Sequence, residues 1–153
     1  MKKIKFIILL FFIVLITACA ASSNIFDDSI PLESSATIVI SEELVIKSYN
    51  GIPVSLKKPS FGSGGTGFTF PAGRATFIMD LDTGMQMSNV RYMSRDISLT
   101  YNFEAGKEYQ LRFWFADDEG NIDRSNWGRG SPGILLSEGE FTRYVHKVPL
   151  TFN

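Results

Sequence analysis

The sequence predicts an all-β domain, a single antiparallel β-sandwich, and three observations carry that expectation. Apolar residues alternate with period two in three long stretches: Ala75, Phe77, Met79 and Leu81; Ile97, Leu99, Tyr101 and Phe103; Tyr109, Leu111, Phe113 and Phe115. That is the spacing of strands with one buried face. Turn residues recur at short intervals between the stretches, and no window of a dozen residues carries a 3.6-residue apolar stripe.

The elements follow in chain order. Residues 1–18 read as a cleaved export signal: Lys2, Lys3 and Lys5 precede an apolar run from Phe6 to Ile16 that ends in Thr17, Ala18 and the single cysteine, Cys19. The run spans 11 residues (6 to 16), whereas a membrane-spanning helix needs about 20, so it is expected to be removed rather than kept as an anchor. Residues 19–35 are small and polar and read as a tether reaching at most roughly 50 Å. Residues 36–153 form the domain.

Within it, strands are expected at Ala36–Ser41 and Leu44–Tyr49, followed by Asn50-Gly51, a hairpin signal because both residues tolerate positive φ. Ile52–Leu56 comes next, and Pro53 assigns it to an edge because proline cannot donate to a ladder. The Gly62–Gly67 run lacks the lysine and following helix of a phosphate-binding loop and reads as a connection. Gly67–Phe70 leads through Pro71-Ala72-Gly73 into the Ala75–Leu81 stretch. Asp82-Thr83-Gly84 and Glu104-Ala105-Gly106-Lys107 supply further turns. Met87–Tyr92 and Phe141–Val148 complete the set. Eight or so short strands favour two packed sheets over a closed barrel.

Ile16-Thr17-Ala18-Cys19 resembles the lipobox of bacterial lipoproteins. The resemblance implies diacylglycerol on the Cys19 thiol, cleavage before it, and acylation, palmitate among the chains, that fixes the protein to a membrane. Ile16 replaces the usual leucine and Thr17 the commoner serine or alanine. Ala20 after the cysteine, in place of aspartate, resembles the outer-membrane sorting pattern, so the expected location is the bacterial cell envelope, at its outer membrane.

Cleavage leaves 153 − 18 = 135 residues, one domain's worth. Three of the 15 basic residues leave with the signal, so 12 face 16 acidic residues, a net charge of about −4. That balance argues against nucleic acid as a partner. It also gives no polybasic attraction to lipid, so the membrane is reached through Cys19 alone. Once Cys19 is lipidated, neither a disulfide nor a free thiol remains. The single histidine, His146, leaves little for zinc or triad chemistry and reads as structural. No cofactor is implied.

Ala36–Ile40, Tyr49–Val54, Phe70–Arg74 and Phe103–Tyr109 are similar to strand and turn phrases of small β-sandwich lipoproteins and of PEGA-type and carboxypeptidase-regulatory-like modules. The literal Pro-Glu-Gly-Ala motif is absent. The resemblance implies an immunoglobulin-like or transthyretin-like sandwich that binds or spaces and does not catalyse.

Candidate sites concentrate in Asp117–Pro132. Asp117, Glu119, Asn121 and Asp123 place oxygen ligands at alternate positions, as a calcium loop does, but without flanking helices or a closing glutamate; a solvated acidic turn accounts for them without an ion. Trp127, beside Asn126 and Arg129 on a glycine-rich loop, either stacks on a sugar or protein partner or folds back to cap the sandwich. Arg112 and Trp114 share the strand parity opposite to Leu111 and Phe113, so they either form an exposed platform or lie under a neighbouring loop. Asp80 and Asp82, about 7 Å apart at Cα, have a separation that a glycosidase pair could use, although carboxylates on the outer face of a strand are ordinarily just solvated. The expected function is a non-enzymatic, lipid-anchored envelope protein displaying a surface for a protein or glycan; the alternative is an assembly component held through an exposed sheet edge.

Overall fold

The computed structural model describes residues 30–54, 65–84, 90–117, 119–122 and 130–152. Cys19, Asp123, Asn126, Trp127 and Arg129 lie outside them. So do the signal segment, most of the tether, and parts of the Gly62–Gly67 and Met87–Tyr92 stretches.

Nine strands are described: β1 (Ser35–Ile40), β2 (Leu44–Tyr49), β3 (Ile52–Pro53), β4 (Thr66–Pro71), β5 (Gly73–Asp82), β6 (Met93–Phe103), β7 (Glu108–Ala116), β8 (Ser131–Glu138) and β9 (His146–Pro149). They form a five-stranded sheet in the order β4-β1-β7-β8-β9 and a four-stranded sheet in the order β3-β2-β5-β6. A 3₁₀ turn at Leu32–Ser34 precedes β1, and no α-helix occurs among the described residues.

The alternation read from the sequence is the burial pattern found. Ala75, Phe77, Met79 and Leu81 of β5 share one apolar core with Leu111, Phe113 and Phe115 of β7. Its aromatic centre is a set of edge-on contacts: Phe70 meets Phe103 at 5.0 Å and Phe77 at 5.4 Å, and Phe103 meets Tyr109 at 5.0 Å. Such pairs add about 0.5–1.5 kcal/mol beyond their burial. Tyr109 is fully buried but keeps its hydroxyl satisfied, accepting a hydrogen bond from the Glu104 N–H at 3.0 Å. The Asn50-Gly51 hairpin forms with φ of 49° and 79°, and β3, which carries Pro53, stands at the edge of its sheet.

Three expectations need correction. The fold is not purely antiparallel: β1 runs parallel to β7, with Thr37 opposite Glu108 and Ile40 opposite Leu111. The alternation of each strand fixes which face is buried, not which neighbour it takes. Second, Ser131–Glu138 is a strand that the period-two pattern does not reveal, because Gly133 through Ser137 are all buried. A strand covered on both faces reads as a continuous run rather than an alternation. Third, the last strand begins at His146; Phe141 and Tyr144 instead pack on the outer face of the larger sheet. Val90–Tyr92 likewise lies outside any strand.

Candidate functional site

The parallel pairing of β1 with β7 gives the domain a polarity. The chain enters at Ser35, where the Gly106 N–H donates to the Ser35 carbonyl at 2.7 Å and the Ala72 N–H to that of Ser34 at 3.0 Å. From that entry end β7 runs onward from Glu108 to Ala116, about 26 Å. The β7–β8 connection therefore departs from the end of the larger sheet remote from the tether. The β5–β6 connection leaves the same end: Gly73 is opposite Phe103 near the entry, and Asp82 opposite Met93 at the far end. Tyr92 and Phe115, 5.9 Å apart between ring centres, meet there, and Phe152 closes on Tyr92 at 5.0 Å. Val90 and Met93 are exposed apolar side chains flanking Tyr92 in the chain.

Arg112 and Trp114 have the strand parity opposite to Leu111 and Phe113, and Trp114 packs against a second apolar cluster as well as against the shared core. Ala116, Ile122, Leu135 and Phe141 bury one another on the outer face of β7 and β8, with Trp114 and Tyr144 half-buried against them. The Arg112 guanidinium lies over the Phe141 ring, 5.2 Å from its centre. The Arg112 and Trp114 side chains are both half-buried on this face. The cover is itself stitched together: the Ile122 N–H donates to the Thr142 carbonyl at 2.9 Å and the Tyr144 N–H to that of Gly120 at 3.3 Å, with Asn121 bridged to Arg143.

The start of the acidic segment is closed locally. Asp117 accepts the Asn121 backbone N–H on Oδ1 at 2.7 Å and the Asn121 side-chain amide on Oδ2 at 2.9 Å. The side-chain bond from Asn121, then its backbone bond, hold the Asp117 carboxyl below the usual carboxylate range. Glu119 is exposed. Among the described residues no three carboxylate, histidine or cysteine groups come together to hold a metal.

Asp80 and Asp82 each have a separate cationic partner. Asp82 is engaged by the Arg91 guanidinium through two bonds, the Nε one at 2.7 Å. Asp80 accepts the Asp96 N–H at 2.9 Å and has the Lys47 ammonium 3.6 Å away, while Lys47 bonds Asp96 at 2.6 Å. The register shifts at Lys47 on one side of β5 and next to Asp96, whose φ is 53°, on the other. Two β-bulges thus aim Lys47 and Asp96 at one carboxylate, which the strand pattern alone does not show. His146 stands beside Tyr101, with ring centres 5.9 Å apart.

No protein-family model matches the chain, and neither curated proteins nor solved structures yield a match. The placement of these residues is thus the guide to what they do.

Proposed function

We propose that this chain is a lipid-anchored, non-enzymatic lipoprotein of the bacterial cell envelope whose two-sheet domain displays a surface for a protein or glycan. The observation that supports this reading is the polarity of the domain. The tether enters at Ser35, and the long connection singled out by its composition starts after Ala116, at the other end of the larger sheet. A domain acylated at Cys19 carries that connection outward from the bilayer, where Trp127, Arg129 and Asn126 meet a partner.

Exposed Val90 and Met93 widen the apolar part of the same end. In this reading the Arg112/Trp114 face is not the platform; it carries the Ile122 and Phe141 cluster instead. An immunoglobulin-like or transthyretin-like sandwich held at the outer membrane is the finer form of the proposal.

Two experiments test it separately. Cys19→Ala is expected to abolish radiolabelled palmitate incorporation and release the protein from the detergent phase; unchanged labelling would end the anchor reading. Protease treatment of intact cells is expected to cleave near Trp127 before the strands, and Trp127→Ala to weaken capture of whichever glycan or protein binds the wild type. Equal capture by a folded Trp127→Ala variant would end the binding-surface reading.

A further inference from the structure

The strand that the tether leads into is an inner one. β1 lies between β4 and β7 in the larger sheet. It pairs antiparallel with β4, from Ser35 opposite Pro71 to Ile40 opposite Thr66, and parallel with β7, from Thr37 opposite Glu108 to Ile40 opposite Leu111. Backbone bonds continue past both ends of the strand. The Ala72 N–H donates to the Ser34 carbonyl at 3.0 Å, and the Ser41 N–H to that of Leu111, also at 3.0 Å. Ala36, Ile38 and Ile40 are buried in the shared core. Sliding β1 along its axis by one residue would turn the opposite set of side chains to that core. The strand is therefore held against small displacements along its length by packing as well as by its two ladders.

We infer that β1 is a shear clamp through which the domain withstands tension between its anchored end and its far end. The inference rests on the lipid-anchor reading for where that tension enters, at the tether, and adds that the fold is arranged to resist it. Pulled at Ser35 toward the bilayer and at Ala116 away from it, the parallel strands β1 and β7 are drawn in opposite senses along their length. The bonds between strands run across that pull. Those to β4 and β7 are strained together, and no chain length is released until the set gives way.

The parallel pairing is what makes this so. If β7 ran antiparallel to β1, its C-terminal end would emerge beside Ser35, and the same tension would open the pair one bond at a time from that end. A pull across the entry end of the present fold does act in this way: it meets the Gly106–Ser35 bond first, then the Thr37–Lys107 bond, and the Ser41–Leu111 bond last.

The test is single-molecule stretching of the unlipidated mature chain, in which Cys19 is the only thiol and one handle is attached where the lipid would be. A second cysteine replaces either Glu119, exposed and three residues past the end of β7, or Ala105, exposed in the β6–β7 turn beside Ser35. E119C draws along the strands and A105C across the entry end. The tether straightens first in both. Forced unfolding follows the unfolding barrier, so at one loading rate the E119C chain is expected to rupture at about twice the force of the A105C chain or more. Urea unfolding of the two variants should agree, which leaves direction as their difference. Ser41→Pro removes the N–H that peeling reaches last. It is expected to lower the rupture force along the strands and to leave the force across them unchanged. Equal rupture forces in the two directions overturn the inference, as does a Ser41→Pro loss of the same size in both. If Ser41→Pro does not fold, the comparison of directions decides alone. Whether Cys19 is acylated is read separately from palmitate labelling, so failure of the clamp and failure of the anchor are distinguishable.

Discussion

The two sheets present opposite outer faces. On the smaller sheet that face is polar and tied by surface contacts: Lys47 with Asp80 and Asp96, Arg91 with Asp82, Thr76 with Thr100. On the larger sheet, over β7 and β8, it is apolar and covered, with Leu135 fully buried among Phe141 and Ile122. One sheet therefore has a single core side, and the other is sandwiched between two. The smaller sheet's outer contacts are exposed pairs of the kind that contribute little. The larger sheet's cover is apolar burial, worth about 1.5–3 kcal/mol for each fully buried large side chain.

The largest effect expected of this difference compares two leucines on neighbouring strands. Leu111 on β7 belongs to the shared core and Leu135 on β8 to the outer cluster, and both are fully buried. If the outer cluster is a true second core, Leu111→Ala and Leu135→Ala each cost about 2–5 kcal/mol in urea unfolding. A Leu135→Ala loss of only a few tenths would mean that the cover is loosely held and that the two faces are less different than they look.

A smaller effect tests how tightly the last strand closes the covered sheet. A Cβ built on Gly133 would lie 2.8 Å from the Val148 carbonyl oxygen and 3.0 Å from Lys147 Cε. The first neighbour is backbone, so β9 must move. Gly133→Ala is expected to cost about 1–3 kcal/mol as an overpacked site. It should also raise amide exchange in His146–Pro149 without affecting β5 or β6. Uniform loss of protection across both sheets would count against β9 as a separable edge.

The same contrast explains what is legible in the sequence. β5, β6 and β7 are readable because each carries one clean alternating set, and the Asn50-Gly51 turn is readable because its chemistry is local. β8 is not, since Ile134, Leu135 and Leu136 are buried on both faces and carry no period. The parallel partner of β1 is hidden for a different reason: Thr37 and Glu108 lie far apart in the chain, and their pairing leaves no mark on either strand's own pattern. At the candidate site, parity alone sets Arg112 and Trp114 apart from Leu111 and Phe113, although Trp114 packs against the shared core as well. What covers them comes from Ile122 and Phe141, and no local signal connects those residues to the face they cover. The Lys47–Asp80–Asp96 cluster depends on two bulges, and an inserted residue is visible only once the partner strand is known.

On the open face, Lys47→Met removes the cation shared by Asp80 and Asp96. The hydrogen bond to Asp96 raises the Lys47 ammonium above its ordinary value, ahead of the opposing cost of burial. The pair is exposed and screened by salt. The expected loss is therefore smaller than either effect above, and the wild-type and variant unfolding midpoints should converge as ionic strength rises to about 1 M. Midpoints that stay apart at high salt would show that Lys47 acts through its apolar stem, packing rather than charge.

The smallest effect lies where the covered face meets the far-end connection. Asp117 accepts two bonds from Asn121, and Asn121 is bridged to Arg143 in the cover. Its carboxyl is held below the usual range, so the folded state favours the charged form. The sign follows: the contribution is fully present above the unfolded carboxylate value and fades as pH falls through the lower folded value. Asp117→Asn should therefore weaken the cover at neutral pH and cease to matter in acid. Trp114 reports this directly, since it lies against the cluster, and a Trp127→Phe background leaves it as the only indole. In that background, the fluorescence-detected stability curves with and without Asp117→Asn should part at neutral pH and meet below the carboxylate range. Curves that run parallel at every pH would mean that the Asp117–Asn121 clasp closes without stabilising the cover, leaving apolar burial alone to distinguish the two faces.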